Sequence, residues 1–132
     1  MIVLDTHAVV WLVMDEGLGR QSRRLIDNAV ADDSLAVSAM SFWEFAMLVT
    51  RRRVRSIRSP GEQRSKMLAA GIRELPVTGD IAIPAAELEG LHNDPADRII
   101  AATAITHEAT LVTADARLLQ WRHPLKRQDA EQ

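Results

Sequence analysis

Four acidic residues stand where a fold can bring them to one point: Asp5, Glu44, Asp97 and Asp115. Asp5 closes the apolar run Ile2-Val3-Leu4, and Glu44 lies just inside a helical stretch after Leu35-Ala36-Val37-Ser38. Asp97 falls in the first turn of an apolar helix, and Asp115 follows the run Thr110-Leu111-Val112-Thr113 by two residues. Carboxylates gathered on one concave point repel one another, by ~4 kcal/mol for a like pair ~4 Å apart at an effective dielectric of ~20. A hard divalent cation removes that cost. Oxygen ligands with open positions for water suit Mg2+ or Mn2+. Each acid taken singly also has an ordinary reading. Glu44 completes the capping-box pattern Ser41-Phe42-Trp43-Glu44, Asp97 complements a helix dipole, Asp115 can cap a helix, and Asp5 can serve a turn. The conjunction carries the metal reading.

The remaining chemistry is narrow. The chain has no cysteine, which excludes disulfides and thiolate metal sites and suits a reducing compartment. Its four histidines, His7, His92, His107 and His123, lack the H-x-x-x-H spacing of a zinc site and are read as ordinary surface or core residues.

A polyanionic substrate fits the charge distribution. The net charge is −2, yet from Arg51 to Lys66 seven basic residues face only Glu62, a net +6. From Asp80 to Gln120 seven acids face two arginines, a net −5. Arg51, Arg52, Arg53, Arg55 and Arg58 are the candidate substrate-binding residues, since arginines on phosphates give salt-dependent affinity with little base preference. Two solvated surfaces of opposite sign are the plainer alternative. Trp11 and Trp43 sit in apolar helical stretches and are read as core or interface packing residues, with stacking on bases the alternative; Trp121 is the third tryptophan.

The elements that must position these residues alternate. Short β-branched runs at 2–4, 35–38, 74–77 and 110–113 are separated by helical patterns at 7–14, 20–31, 42–52, 60–70 and 96–107. Residues 80–91 are read as a short helix or two pieces because Pro84 is awkward inside one. Asp94-Pro95 marks a firm helix start, and a short helix is expected from Asp115 to Trp121. One domain over 1–126 is expected, with an edge strand near Leu125 and a polar, disordered tail over 127–132. Continuously apolar strands alternating with helices imply a three-layer α/β/α architecture around a parallel sheet of four to five strands. In such sheets, sites form beyond the carboxyl ends of the strands, where all four acids are expected. The opening MIVLDTHAVVWLVMDEG lacks a basic start and is interrupted by Asp5 and His7, so it is not read as a signal peptide. No stretch approaches the ~18 apolar residues of a membrane span, and the cytoplasm is the expected location.

Four segments together resemble the PIN domain, and specifically the VapC-type toxins, over nearly the whole length. They are IVLDTHAVVWL, VSAMSFWEFAML, LHNDPADRIIAATAI and LVTADARL. The resemblance implies that Asp5, Glu44, Asp97 and Asp115 are the catalytic acids and that Asp5, Asp97 and Asp115 hold the metal, with Asp94 capping the helix. It implies an endoribonuclease that hydrolyses RNA phosphodiester bonds and acts as the toxin of a toxin–antitoxin pair. A cognate antitoxin, a homodimer and operator DNA reached only through the antitoxin are implied with it. Many relatives carry a lysine four residues after the glutamate, where this chain has Leu48. Thr6 and Thr113 offer hydroxyls that can orient water or satisfy nearby backbone groups. A non-catalytic PIN-like module binding RNA or protein is the main alternative. A receiver-like α/β domain ranks lower, because D-T-H stands where D-x-D is needed.

Overall fold

The computed structural model describes residues 1–132. Three of its strands are fully buried: β1 (Ile2–Leu4), β2 (Leu35–Ser38) and, but for its first residue, β4 (Thr110–Thr113). β3 (Arg73–Leu75) and β5 (Arg127–Asp129) form the more exposed edges. The order is β3-β2-β1-β4-β5 and every pairing is parallel. The chain moves outward from β1 through β2 to β3, then returns to place β4 on the other side of β1. This reversal puts the carboxyl ends of β1 and β4 side by side, at the point where open parallel sheets bind ligands.

Seven helices complete the fold: α1 (Thr6–Met14), α2 (Arg20–Ala31), α3 (Ala39–Thr50), α4 (Pro60–Ala69), α5 (Gly79–Glu87), α6 (Pro95–Thr106) and α7 (Ala116–Leu119). Period-2 alternation explains the layers. Ile2, Leu4, Leu35, Val37 and Val112 face Ala8, Val9, Ile26, Ala29 and Met67 of α1, α2 and α4. Val3, Ala36, Leu75 and Leu111 face Ile100, Ala101 and Ala104 of α6, with Leu118 and Trp121. The three-layer α/β/α expectation therefore holds, with five strands.

Several boundaries differ from the sequence reading, each for a physical reason. α3 starts at Ala39 with Ser38 as its cap, accepting from the Met40 N–H, so Ser41 to Glu44 do not form a capping box. Of the two readings for residues 80–91 the single short helix holds: α5 runs through Pro84, which faces solvent, and its missing N–H costs one bond whose acceptor is on an exposed turn. The edge strand falls at 127–129 instead of near Leu125, and the end of the chain is not a disordered tail. Gly19 and Ser22 donate backbone N–H groups to the carbonyls of Ala130 and Gln132, and Ala130 is buried. A Cβ at Gly19 would collide with the Gln132 backbone, so only glycine permits this close approach.

Arg98 ties the segment before α6 to the helix itself. Its guanidinium donates to the carbonyls of Ala85, Ala86, Leu88, Leu91 and His92 at 2.6–3.2 Å. A planar five-donor fork suits this clustering of carbonyls, and lysine does not replace it. Arg98→Ala is expected to lower the unfolding free energy by about 2–4 kcal/mol, with Arg98→Lys recovering only part. Chemical denaturation measures this; a loss below about 0.5 kcal/mol would mean the fork contributes nothing beyond a solvated surface residue.

Candidate active site

Four elements deliver the four acids to the carboxyl edge of the sheet. Asp5 ends β1 and caps α1, its Oδ1 accepting the Ala8 N–H at 2.9 Å. Glu44 sits in the second turn of α3, which begins where β2 ends. α6 precedes β4 and runs antiparallel to it, so its first turn, capped by Asp94 and carrying Asp97, reaches this same edge. Asp115 follows β4 and caps α7 by accepting from the Arg117 N–H.

Threonine hydroxyls join these carboxylates. Thr113 donates to Asp5 Oδ2 at 2.5 Å and accepts the Asp115 N–H at 3.1 Å, linking two acids through one side chain. Thr6 donates to Glu44, and the Ser41 hydroxyl lies 3.2 Å from it. Thr6 thus serves a carboxylate, not the backbone. Of the ordinary readings, the capping role of Glu44 is excluded. Those of Asp5 and Asp115 are true but incomplete, because each has a second oxygen engaged elsewhere.

The acids feel one another's charge. Burial pushes the Asp5 carboxyl up to about 6; the Thr113 and Ala8 bonds oppose the rise and the charge of Asp97 adds to it. Burial likewise raises Glu44, with Asp97 and Asp94 contributing, and raises Asp97, with Asp94 and Asp115 contributing. Burial alone would raise Asp115 too, but the hydrogen bonds and charge of Arg117 outweigh it and hold this carboxyl below its usual range. Asp97 is therefore the hub, coupled electrostatically to each of the other three acids.

Two residues at this centre escape the sequence reading. His92 Nε2 lies 2.7 Å from Asp97 Oδ2, so this histidine is not an ordinary surface or core residue. Arg117 places Nη2 2.9 Å from Asp115 Oδ2 and 3.6 Å from Asp97 Oδ2, a positive charge between two carboxylates. His92 had one signal, its place five residues before Asp97 in LHNDPADR, where a capped helix start folds the preceding loop back over its first turn.

The donor chemistry fits a divalent ion. Ligand atoms of His92, Asp97 and Asp115 all lie within 4.8 Å of one another. This closest set contains His92 where the sequence reading has Asp5; Asp5 stands outside it but within reach of the Asp97 charge. The His92 bond fixes the Asp97 carboxylate in the way ligating carboxylates are held by their neighbours. A cavity of about 510 Å³ lies elsewhere: it opens at the amino edge of the sheet beside Ala109 and Lys126 and gathers no acids beyond Glu108.

Arg51, Arg52, Arg53, Arg55 and Arg58 are exposed on the connection between α3 and α4, while the ion pairs of the molecule use Arg23, Arg64 and Arg117. Arg51 and Arg53 share a groove with Glu44, so the basic arm reaches the acids. Trp11 packs against the core, but Trp43 is 57% exposed and is not a core residue.

Residues 2–123 match the PIN domain, and the chain belongs to that family. It is 36% identical over 125 residues to the Ribonuclease VapC22 of Mycobacterium tuberculosis, covering 93% of each chain. Two solved structures share the fold. One is VapBC2 from Rickettsia felis bound to a DNA fragment from their promoter, with TM-score 0.70, 20% identity, and coverage of 97% of this chain and 98% of that one. The other is DNA-bound VapBC from Salmonella typhimurium, with TM-score 0.69, 18% identity, and coverage of 97% and 96%.

Asp5 yields a pH test. Its folded pKa is raised from 3.8 to about 6, so between these values the folded chain binds the proton that the unfolded chain has released. Ionising Asp5 therefore costs stability as pH rises through 6, by at most about 3 kcal/mol above it. In metal-free buffer, Asp5→Asn is expected to be the more stable protein at pH 8, with the difference shrinking toward pH 5. Parallel denaturation curves at the two pH values check this, and a constant difference contradicts the burial account.

Proposed function

We propose that this protein is a divalent-metal-dependent endoribonuclease acting as the toxin of a toxin–antitoxin pair. The observation that carries the reading is the gathering of acids at the sheet's reversal point: ligand atoms of Asp97 and Asp115 lie within 4.8 Å of one another and of His92, beside Asp5, which shares Thr113 with Asp115. The 36% identity to a protein named as a ribonuclease supports the choice of RNA as substrate.

Asp97 and Asp115 would hold the ion, with Asp5 behind them and His92 fixing the free oxygen of Asp97. Mg2+ or Mn2+ bound there would activate the attacking water and offset charge building on the phosphate. Thr113 keeps Asp5 and Asp115 in register, and Thr6 holds the Glu44 carboxylate toward the same edge. Burial raises the proton affinity of Asp5, Glu44 and Asp97, and a bound cation would favour their ionised forms. The arginines from Arg51 to Arg58 would grip phosphates on either side of the cleaved bond.

A restrained nuclease needs a partner. The two structural relatives described above are toxin–antitoxin assemblies, both on DNA, which supports a cognate antitoxin, a homodimeric toxin and contact with operator DNA through the antitoxin. No helix is long and apolar enough to cross a membrane, and a cytoplasmic site of action fits the RNA substrate.

Purified protein is expected to cleave RNA internally with Mg2+ or Mn2+ and to stop on addition of EDTA. Asp97→Asn should reduce cleavage by about a hundredfold or more while leaving the fold intact, as loss of a metal-holding group does. Cleavage that persists in chelator removes the metal mechanism. A folded protein that binds RNA but never cuts it supports the non-catalytic alternative. Replacing Arg51, Arg52, Arg53, Arg55 and Arg58 by glutamine should weaken RNA binding and flatten its dependence on salt. Unchanged affinity and slope across a salt titration would return the arm to a solvated surface.

A further inference from the structure

A tryptophan side chain with more than half its surface in water is unusual beside a charged site, because an indole is costly to leave exposed. Trp43, 57% exposed, stands one residue before Glu44 on α3. It lines a groove of about 330 Å³ together with Glu44 and Asp94, the apolar Met47 and Leu48, and Arg51 and Arg53. On a helix with a rise of ~1.5 Å per residue, Glu44 and Arg51 are separated by about 10 Å along the axis. Met47 and Leu48 lie between them, one turn beyond Trp43 and Glu44. The groove thus runs from an acidic end at the catalytic centre to a cationic end at the basic arm, with the indole face and two apolar side chains between.

Resting on the ribonuclease reading above, we infer that Trp43 is a substrate-specificity residue that stacks on an unpaired base next to the cleaved bond. A strand running from the acids to Arg51 and Arg53 carries phosphates to the guanidinium groups and its bases past the indole. Arginines alone would take any polyanion, double-stranded or single. The indole changes that preference: a base inside an A-form duplex keeps its faces covered by its neighbours, whereas a loop, bulge or single strand can turn one out onto an aromatic ring. The cations at one end favour a nucleic acid in this groove over a purely apolar helix of a protein partner, which would leave Arg51 and Arg53 unmatched.

The test measures binding in the full-length Asp97→Asn protein with Mg2+, where RNA is held without being cut. Affinity for a fluorescein-labelled single strand of about 12 nucleotides is read by anisotropy, beside a blunt duplex of the same sequence. Trp43→Ala is expected to weaken the single strand by about tenfold or more and to leave the duplex unchanged; Trp43→Phe should stay within about threefold of the parent. An abasic position facing the groove should remove the difference between parent and Trp43→Ala. Because Trp43 is exposed, both variants should keep the parent's unfolding midpoint. Single-strand affinity that is unaltered in Trp43→Ala overturns the inference, including where the substitution instead disrupts self-association or the hold on an antitoxin. Wild-type protein that cleaves RNA while Trp43→Ala binds normally leaves the ribonuclease reading standing without this residue. Wild-type protein that neither binds nor cleaves RNA removes both.

Discussion

Electrostatic repulsion among carboxylates at one edge of a sheet is the constraint around which this molecule is arranged. Asp5 is almost wholly buried, Glu44 and Asp97 are partly so, and each is made a weaker acid by that burial and by the charge of its neighbours. Such a centre persists only if its carboxylates are restrained. Thr113 spans Asp5 and Asp115, Thr6 holds Glu44, His92 holds Asp97, and Arg117 lies against Asp97 and Asp115. These restraints fix the positions of the carboxylates and reduce their repulsion. Arg117 is exposed, whereas Thr6, Thr113 and the ends of β1 and β4 are buried.

The rest of the fold serves that edge. Burying β1, β2 and β4 on both faces fixes their register, because a one-residue slip would turn the apolar residues of one layer onto the other. Register in turn fixes which residue of each strand ends at the site. The reversal between β1 and β4 brings Asp5 and Thr113 into hydrogen-bond contact across 108 residues of sequence. The Arg98 fork anchors the loop that presents His92, and the closing strand β5 completes the sheet on the β4 side. Stability and function are coupled most directly at Arg98, whose bonds shape both the packing of α5 on α6 and the approach to the acids.

The alternation of elements, the parallel sheet and its site edge were legible in the sequence because the strands are continuously apolar and Asp94-Pro95 starts α6 unambiguously. The four acids were legible because each follows a strand end or a helix start. What was not legible depends on contacts distant along the chain. The start of α3 hinges on Ser38, and the pattern at Ser41 to Glu44 mimics a cap that the helix does not use. His92 has no spacing to a second histidine, so its partner Asp97 is visible only once the loop folds back. Trp43 sits in an apolar stretch and gives the same signal as a core residue; its exposure follows from the face of α3 that meets α1 and α6. The closing strand at 127–129 is polar in sequence and is held by backbone bonds and by Ala130, which no periodicity announces.

The position of the ion decides whether these acids form a metal site. Crystals grown with Mn2+ and measured at its absorption edge are predicted to show an anomalous peak about 2.1 Å from carboxylate oxygens of both Asp97 and Asp115. The Arg117 guanidinium should then be turned away from them. No peak at that position under saturating Mn2+, with Arg117 still against both carboxylates, would contradict the claim that these acids are assembled to hold a metal.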